Sequence, residues 1–168
     1  SRRTVAGALL ALAAAALAPA VQAQAFPSKT IKFVVPFGPG SGTDTSARYF
    51  ARKLGELTGQ SVVVENKPGA NGFIAVKQVL TAPADGYTVF IGSNSTLAVN
   101  AALFKELPYD PVNDFSPLTM MMRSPAMIAT MPKAPYSDLK GLIAHAKANP
   151  GKVNFGAGSA GYQLMGEL

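Results

Sequence analysis

The sequence predicts an α/β fold in which parallel strands alternate with helices, and three observations lead there. Short apolar runs of strand length alternate with segments whose apolar residues recur at helical spacing. Glycine-rich stretches fall where a strand run gives way to a helical one, as turns of a βαβ chain require. The composition, 48% hydrophobic and 14% charged over 168 residues, supplies a core and excludes a self-repelling disordered chain.

Taken in order, residues 1–25 (SRRTVAGALLALAAAALAPAVQAQA) read as a cleavable export signal. Arg2 and Arg3 form its basic start, and Val5 to Leu17 its apolar stretch. That stretch is too short for a membrane helix of about 20 residues. Cleavage is expected after Ala23 or Ala25, leaving a soluble, periplasmic mature chain.

Ile31 to Val35 is the first strand, ended by Pro36, and Phe37 to Gly42 a glycine-rich loop. A helix follows with Ala47, Phe50, Ala51, Leu54 and Leu57 on its inner face, Thr43 as N-cap and Gly59 as its stop. Ser61 to Glu65 is the second strand, Asn66 to Gly72 a loop, and Phe73 to Leu80 the second helix. After the Asp85-Gly86 turn, Tyr87 to Gly92 is the third strand. This βαβαβ order implies right-handed crossovers and a parallel sheet.

Beyond it, Ser93 to Thr96 is a polar loop and Leu97 to Phe104 a short helix. Phe115–Met122 and Met127–Met131 are expected as extended apolar segments, with a domain crossover near Arg123–Pro125. A helix capped by Ser137 should place Leu139, Leu142, Ile143 and Ala146 inside. Val153 to Phe155 reads as a strand and Gly156 to Gly161 as a second glycine-rich loop. The domain expectation is therefore a first lobe over 26–123 and the start of a second over 124–168. The last helix has no stop signal before Leu168, so the second lobe is expected to be truncated.

Several function classes are excluded by residue content. With no cysteine there is no disulfide, thiolate metal site or Cys nucleophile. His145 is the single histidine, expected on the surface, and the nine acidic residues form no metal-ligand spacing, so neither a metal nor a catalytic set is expected. The net charge is +6; without Arg2 and Arg3, thirteen basic residues face nine acidic ones. They form no run with interleaved aromatics, which argues against nucleic-acid binding.

The loop Gly38-Pro-Gly-Ser-Gly-Thr-Asp44 carries most functional information. It joins a strand to a helix N-terminus, where free N–H groups and the helix dipole favour an anion. A phosphate-binding P-loop is excluded because the loop lacks its lysine. The alternative is a Rossmann-like dinucleotide enzyme using Gly38–Gly42 with Glu65, 23 residues after Gly42, as the ribose acid. The glycines at 38, 40 and 42 fit that fingerprint poorly, since its third glycine belongs where Thr43 stands. Gly92 to Thr96 follows the third strand, and its loop shares a crevice with the first if those strands are neighbours. Gly156 to Gly161 would answer from the second lobe.

Pro36 to Asp44, Val63 to Gly72, Ala84 to Thr88, Leu107 to Pro111 with Asp114-Phe115, and Ala148 to Lys152 together resemble the Bug/TctC extracytoplasmic receptors of tripartite tricarboxylate transporters. The resemblance implies a periplasmic binding protein-like fold of two lobes, each with a mostly parallel or mixed sheet flanked by helices around a hinged cleft. It implies a receptor and not an enzyme, binding a small carboxylate without cofactor and serving the membrane components of such a transporter. It also implies ligand contacts from Gly40, Ser41, Gly42, Thr43 and Asp44, from Ser93, Asn94 and Ser95, and from Gly158, Ser159 and Ala160. The last loop departs from the family pattern, with Gln163-Leu164 where the family has His-Leu.

Overall fold

The computed structural model describes residues 25–167. Apart from Ala25, the expected export signal lies outside them.

Strand β1 (Ile31–Val35) is the centre of a three-stranded parallel sheet, flanked by β2 (Val62–Asn66) and β3 (Thr88–Phe90). Ile31 stands opposite Val62, and Lys32 opposite Thr88. The chain crosses over from β1 to β2 through helix α1 (Gly42–Thr58) and from β2 to β3 through α2 (Phe73–Leu80). Alternate residues of a strand face opposite sides of its sheet. Ile31, Phe33 and Val35 thus join Ala47 and Ala51 of α1, with Ile91, in one buried cluster. Val34, fully buried, faces the other side, where α2 buries Ala75 and Val76. Burial on both faces explains why β1 reads as a nearly continuous apolar run.

Helix α1 approaches the sheet through small residues. Ala47 and Ala51 are buried, but Phe50 (38% exposed) and Leu57 (83%) flank the contact instead of joining it, contrary to the sequence expectation. The helix starts one residue before Thr43, and its N-cap is Ser41, whose extended backbone and hydroxyl do the capping. Gly59 ends it in a left-handed conformation with its N–H on the Gly55 carbonyl.

The third connection begins earlier than the sequence suggests. A π-helical turn at Ser95–Val99 runs into α3 (Asn100–Leu103), because Ser93 and Thr96 cap each other ahead of Leu97. Phe115–Met122 and Met127–Met131 join no sheet; Met121 packs against the core, whereas Met120, Met122, Met127, Ile128 and Met131 are exposed. Val153–Phe155 likewise forms no strand, since no described segment offers it a ladder.

Helix α4 (Leu139–Ala148) is capped by Asp138, whose carboxylate accepts from the Gly141 N–H at 2.7 Å, and not by Ser137. Its expected inner residues Leu139 and Ile143 are exposed. Its partly buried side instead includes His145, whose ring lies 5.4 Å from that of Tyr136. Helix α5 (Ala160–Glu167) packs on the Ser95–Val99 turn. No helix among the described residues is long and apolar enough to cross a membrane.

Candidate functional site

The strand order makes β1 and β3 neighbours, so the loops after them leave the same edge of the sheet. In open parallel sheets that edge, at the carboxyl ends of the strands, is where ligands bind. Four segments meet there.

The first follows β1. Gly40 has φ 82, a left-handed conformation that suits glycine. Gly38 and Gly42 have no such need, and a Cβ on any of the three would meet nothing within 4 Å. Neither conformation nor packing within the chain therefore calls for glycine at 38 and 42. What the two glycines supply is bare backbone beside open space. Ser41 closes the loop: its Oγ accepts the Asp44 N–H at 3.2 Å.

Asp44 is buried, and its carboxylate is filled by the protein itself. One oxygen accepts the Gly40 N–H at 2.8 Å and Arg48 Nε at 3.1 Å. The other accepts Asn66 Nδ2 at 2.9 Å and Arg48 Nη2 at 3.0 Å. A carboxylate offers about four acceptor positions, and all are used. Arg48, opposed by burial and helped by the Gly40 N–H and Asn66, holds the Asp44 carboxyl down to about 2. Asn66 also donates to the Phe37 carbonyl at 3.0 Å and accepts from Arg48 at 3.0 Å. This network ties the β1 loop to the end of β2.

The second segment follows β2. Gly69, Ala70, Asn71 and Gly72 have φ of 113, 45, 52 and 90, four successive residues in a region that non-glycine residues rarely enter. Gly72 is buried, and a Cβ there would lie 2.5 Å from Thr96 Cγ2. The loop thus rests directly on the third segment. In that segment Ser93 N–H donates to Thr96 Oγ1 at 3.0 Å and Thr96 N–H to Ser93 Oγ at 3.4 Å, a reciprocal cap that turns Ser95 inward. Ser95 is buried, and its Oγ accepts the N–H of Gly161 at 3.1 Å. That bond brings in the fourth segment, the start of α5.

Between the four lies a cleft of about 250 Å³. Pro36, Phe37 and Gly38 form one wall, and Pro68, Gly69, Asn71 and Gly72 another. Ser95 and Gly158, Ser159 and Ala160 complete it. No Lys, Arg, Asp or Glu is among these residues.

Of the expected site residues, Ser95, Gly158, Ser159 and Ala160 line this cleft. Gly40, Ser41, Gly42, Thr43 and Asp44 lie just beyond Gly38, at the start of α1. Ser93 serves the cap, and Asn94 sits against Gly161, 2.9 Å from where a Cβ would be. Glu65 stands apart. Its side chain lies on the α2 face of the sheet, 2.8 Å from Lys67, 3.0 Å from Lys32 and 3.0 Å from Gln78. Lys67 and then Lys32 hold its carboxyl down to about 2, against burial. The wall missed in the sequence is Pro68 to Gly72. The signal for it was present: this loop also leaves the carboxyl end of a parallel strand, by the same rule that singled out the loops after β1 and β3.

Residues 46–167 match the family described as "Tripartite tricarboxylate transporter family receptor". The chain is 40% identical over 160 residues to Protein BugT of Bordetella pertussis, covering 94% of this chain and 49% of that protein. A Rhodopseudomonas palustris protein solved with adipate superposes with a TM-score of 0.76 at 36% identity, over 80% of this chain and 46% of its own. MatC of the same organism, solved with bound malate, gives a TM-score of 0.53 at 40% identity, over 55% of this chain and 31% of its own. The chain spans about half the length of the curated relatives it matches.

Proposed function

This chain belongs to the family of tripartite tricarboxylate transporter receptors, and we propose that it forms the ligand-gripping part of a periplasmic receptor for a small carboxylate. The observation that carries this reading is the cleft at the carboxyl ends of three parallel strands, walled by bare glycine backbone and neutral hydroxyls at helix starts. Such a site suits an anion that must be released again. Each charge-assisted hydrogen bond from a neutral donor contributes about 1.5–3 kcal/mol, with no opposite charge to trap the ligand. The adipate and malate bound by two structural neighbours are both carboxylates, which supports the same ligand class here.

In this reading the loop of Gly40, Ser41, Gly42 and Thr43 grips one carboxylate through the N–H groups of Gly42 and Thr43 and the hydroxyls of Ser41 and Thr43, since the Gly40 N–H goes to Asp44 and the Ser41 N–H to the Gly38 carbonyl. Ser93, Asn94 and Ser95 hold it from the β3 side, and Gly158, Ser159 and Ala160 from the second lobe. Asp44 acts one step back: with its acceptors filled, it shapes the loop that does the gripping. The first lobe spans residues 26–123 and the second begins at 124. Residues 1–25 direct export and are removed, and the loaded receptor delivers its ligand to the membrane components of the transporter. The protein turns over no substrate. The Rossmann-like alternative gains nothing from Glu65, whose carboxylate is engaged by two lysines and Gln78.

The test is calorimetric titration of the protein lacking residues 1–25 with a panel of small mono-, di- and tricarboxylates including adipate and malate. Saturable binding of at least one acid, without metal, is expected. Saturable binding of NAD with no response to any acid would overturn the reading.

A further inference from the structure

The receptor reading leaves one buried group unused. Asn100 is completely buried, and its Oδ1 finds no hydrogen-bond partner among the described residues. Burying an unpaired amide oxygen is costly, because it gives up its hydrogen bonds to water and gains none. An apolar residue would avoid that cost, so what the amide gives elsewhere must offset it. Its Nδ2 donates to the backbone carbonyl of Asn71 at 2.9 Å and to the hydroxyl of Tyr109 at 3.2 Å. The Tyr109 hydroxyl in turn donates to the carbonyl of Thr96.

These bonds join two different walls of the cleft. Asn71 belongs to the left-handed stretch after β2, and Thr96 to the turn that presents Ser95. Residues held at such φ values persist only where their surroundings enforce them. Two features enforce them here. One is the contact of Gly72 with Thr96, too close for any side chain at 72. The other is the bond from Asn100 to the Asn71 carbonyl. Aromatic rings hold the connection from behind: Tyr109 lies 5.9 Å from Phe73 and 6.2 Å from Phe115, and Phe115 stacks on Phe90 at 5.4 Å.

We propose that Asn100 and Tyr109 are positioning residues, a buried polar strut that fixes the spacing between the Asn71 wall and the Ser95 wall of the cleft. Neither side chain lines the cleft. Both act through the backbone carbonyls they hold. The inference rests on the receptor reading for its effect on affinity, and on geometry alone for the strut itself.

The two parts are tested separately. Amide hydrogen exchange without ligand tests the strut, in the protein lacking residues 1–25. Asn100→Ser and Tyr109→Phe are compared with Ile31→Val, a core change on the far side of the sheet that lowers global stability without touching the strut. Under conditions where local opening dominates, Asn100→Ser should speed exchange at both Gly72 and Leu97 by about tenfold or more. The amides of Thr45 and Ile91 should stay as in the parent. Tyr109→Phe should speed Leu97 and leave Gly72 less affected, since the bond to Asn71 survives. Ile31→Val should move all four only in proportion to global stability. If Gly72 and Leu97 move in Asn100→Ser no more than Thr45 and Ile91 do, there is no strut. If Asn100→Ser does not fold, Tyr109→Phe decides at Leu97 alone: exchange there accelerated no more than at Thr45 and Ile91 means there is no strut.

Adipate is the probe for affinity. A loss of about tenfold or more in Asn100→Ser or Tyr109→Phe, with Ile31→Val unchanged, supports positioning. A freed strut with unaltered affinity overturns it. A parent protein that binds neither adipate nor any other acid of the panel refutes the receptor reading, while the exchange data still decide the strut.

Discussion

Replacing Asp44 by Asn should cost more than its position at a helix start suggests, and in a pH-dependent way. A side chain that only favours the helix dipole contributes about 0.3–1 kcal/mol. Asp44, however, has a folded-state value of about 2 against an ordinary 3.8. At roughly 1.4 kcal/mol per unit, that difference is about 2.5 kcal/mol of stability at neutral pH. The sign follows from the depression. The contribution is fully present above the unfolded value and is lost as the pH falls through the folded one, that is, between about pH 4 and pH 2. Asparagine also brings a donor to a position ringed by the Gly40 N–H, Asn66 Nδ2 and Arg48, so one donor must face another. Arg48 is half exposed and can rehydrate, which limits the added loss. Asp44→Asn should therefore lower stability by about 2–4 kcal/mol at pH 7. Urea unfolding followed by circular dichroism, repeated from pH 7 to pH 2.5, measures it. The gap should narrow below pH 4 as the parent protonates Asp44. Glu65 titrates in the same window but is present in both proteins, so its effect cancels in the difference. A gap under about 0.5 kcal/mol at pH 7, or one that stays constant to pH 2.5, would refute the account of Asp44 as a buried, fully paired carboxylate.

Three further outcomes are expected. Thr43→Val should weaken binding of the preferred acid about tenfold, roughly 1.4 kcal/mol, by calorimetry; an unchanged dissociation constant would remove that hydroxyl from the grip. Gly72→Ala should destabilise by about 2–3 kcal/mol in urea, because its Cβ would fall 2.5 Å from Thr96 Cγ2 at a φ of 90. If Gly72→Ala is as stable as the parent, the close approach of the two loops is wrong. Glu65→Gln should weaken the sheet-face brace to Lys32 and Lys67 while leaving carboxylate affinity within twofold. A large loss of affinity would instead put Glu65 in the binding machinery.

Much of the parallel sheet and its crossover helices is legible in the sequence because its signals are local. The two-sided apolar run of β1, the valine run of β2 and the helical spacing of Ala47, Ala51 and Leu54 each lie within a few residues of one another. The glycine loop after β1 and the polar loop after β3 are visible for the same reason. Segments whose structure depends on a distant partner are where expectation and structure part. Val153–Phe155 has strand-like composition, but a strand exists only when another supplies its ladder. The cap moved from Thr43 to Ser41 because the left-handed turn at Gly40 decides which side chain meets the free N–H groups.

From its residues alone, the chain determines its α/β class, its parallel order of elements, the glycine-rich and polar loops that follow its strands, and its family resemblance. Only the tertiary structure decides that β1 and β3 are neighbours, so that their loops share one crevice. It alone fills the four acceptors of Asp44, which requires Asn66, 22 residues away, to arrive beside Arg48. It alone turns the loop from Pro68 to Gly72 into a wall of the cleft, held at Asn71 by Asn100 from 29 residues away. The physical reason is one of range. Periodicity, caps and turns are written in neighbouring residues, whereas the valence of a buried polar group is satisfied by whatever the packing of distant segments brings within 3 Å or so.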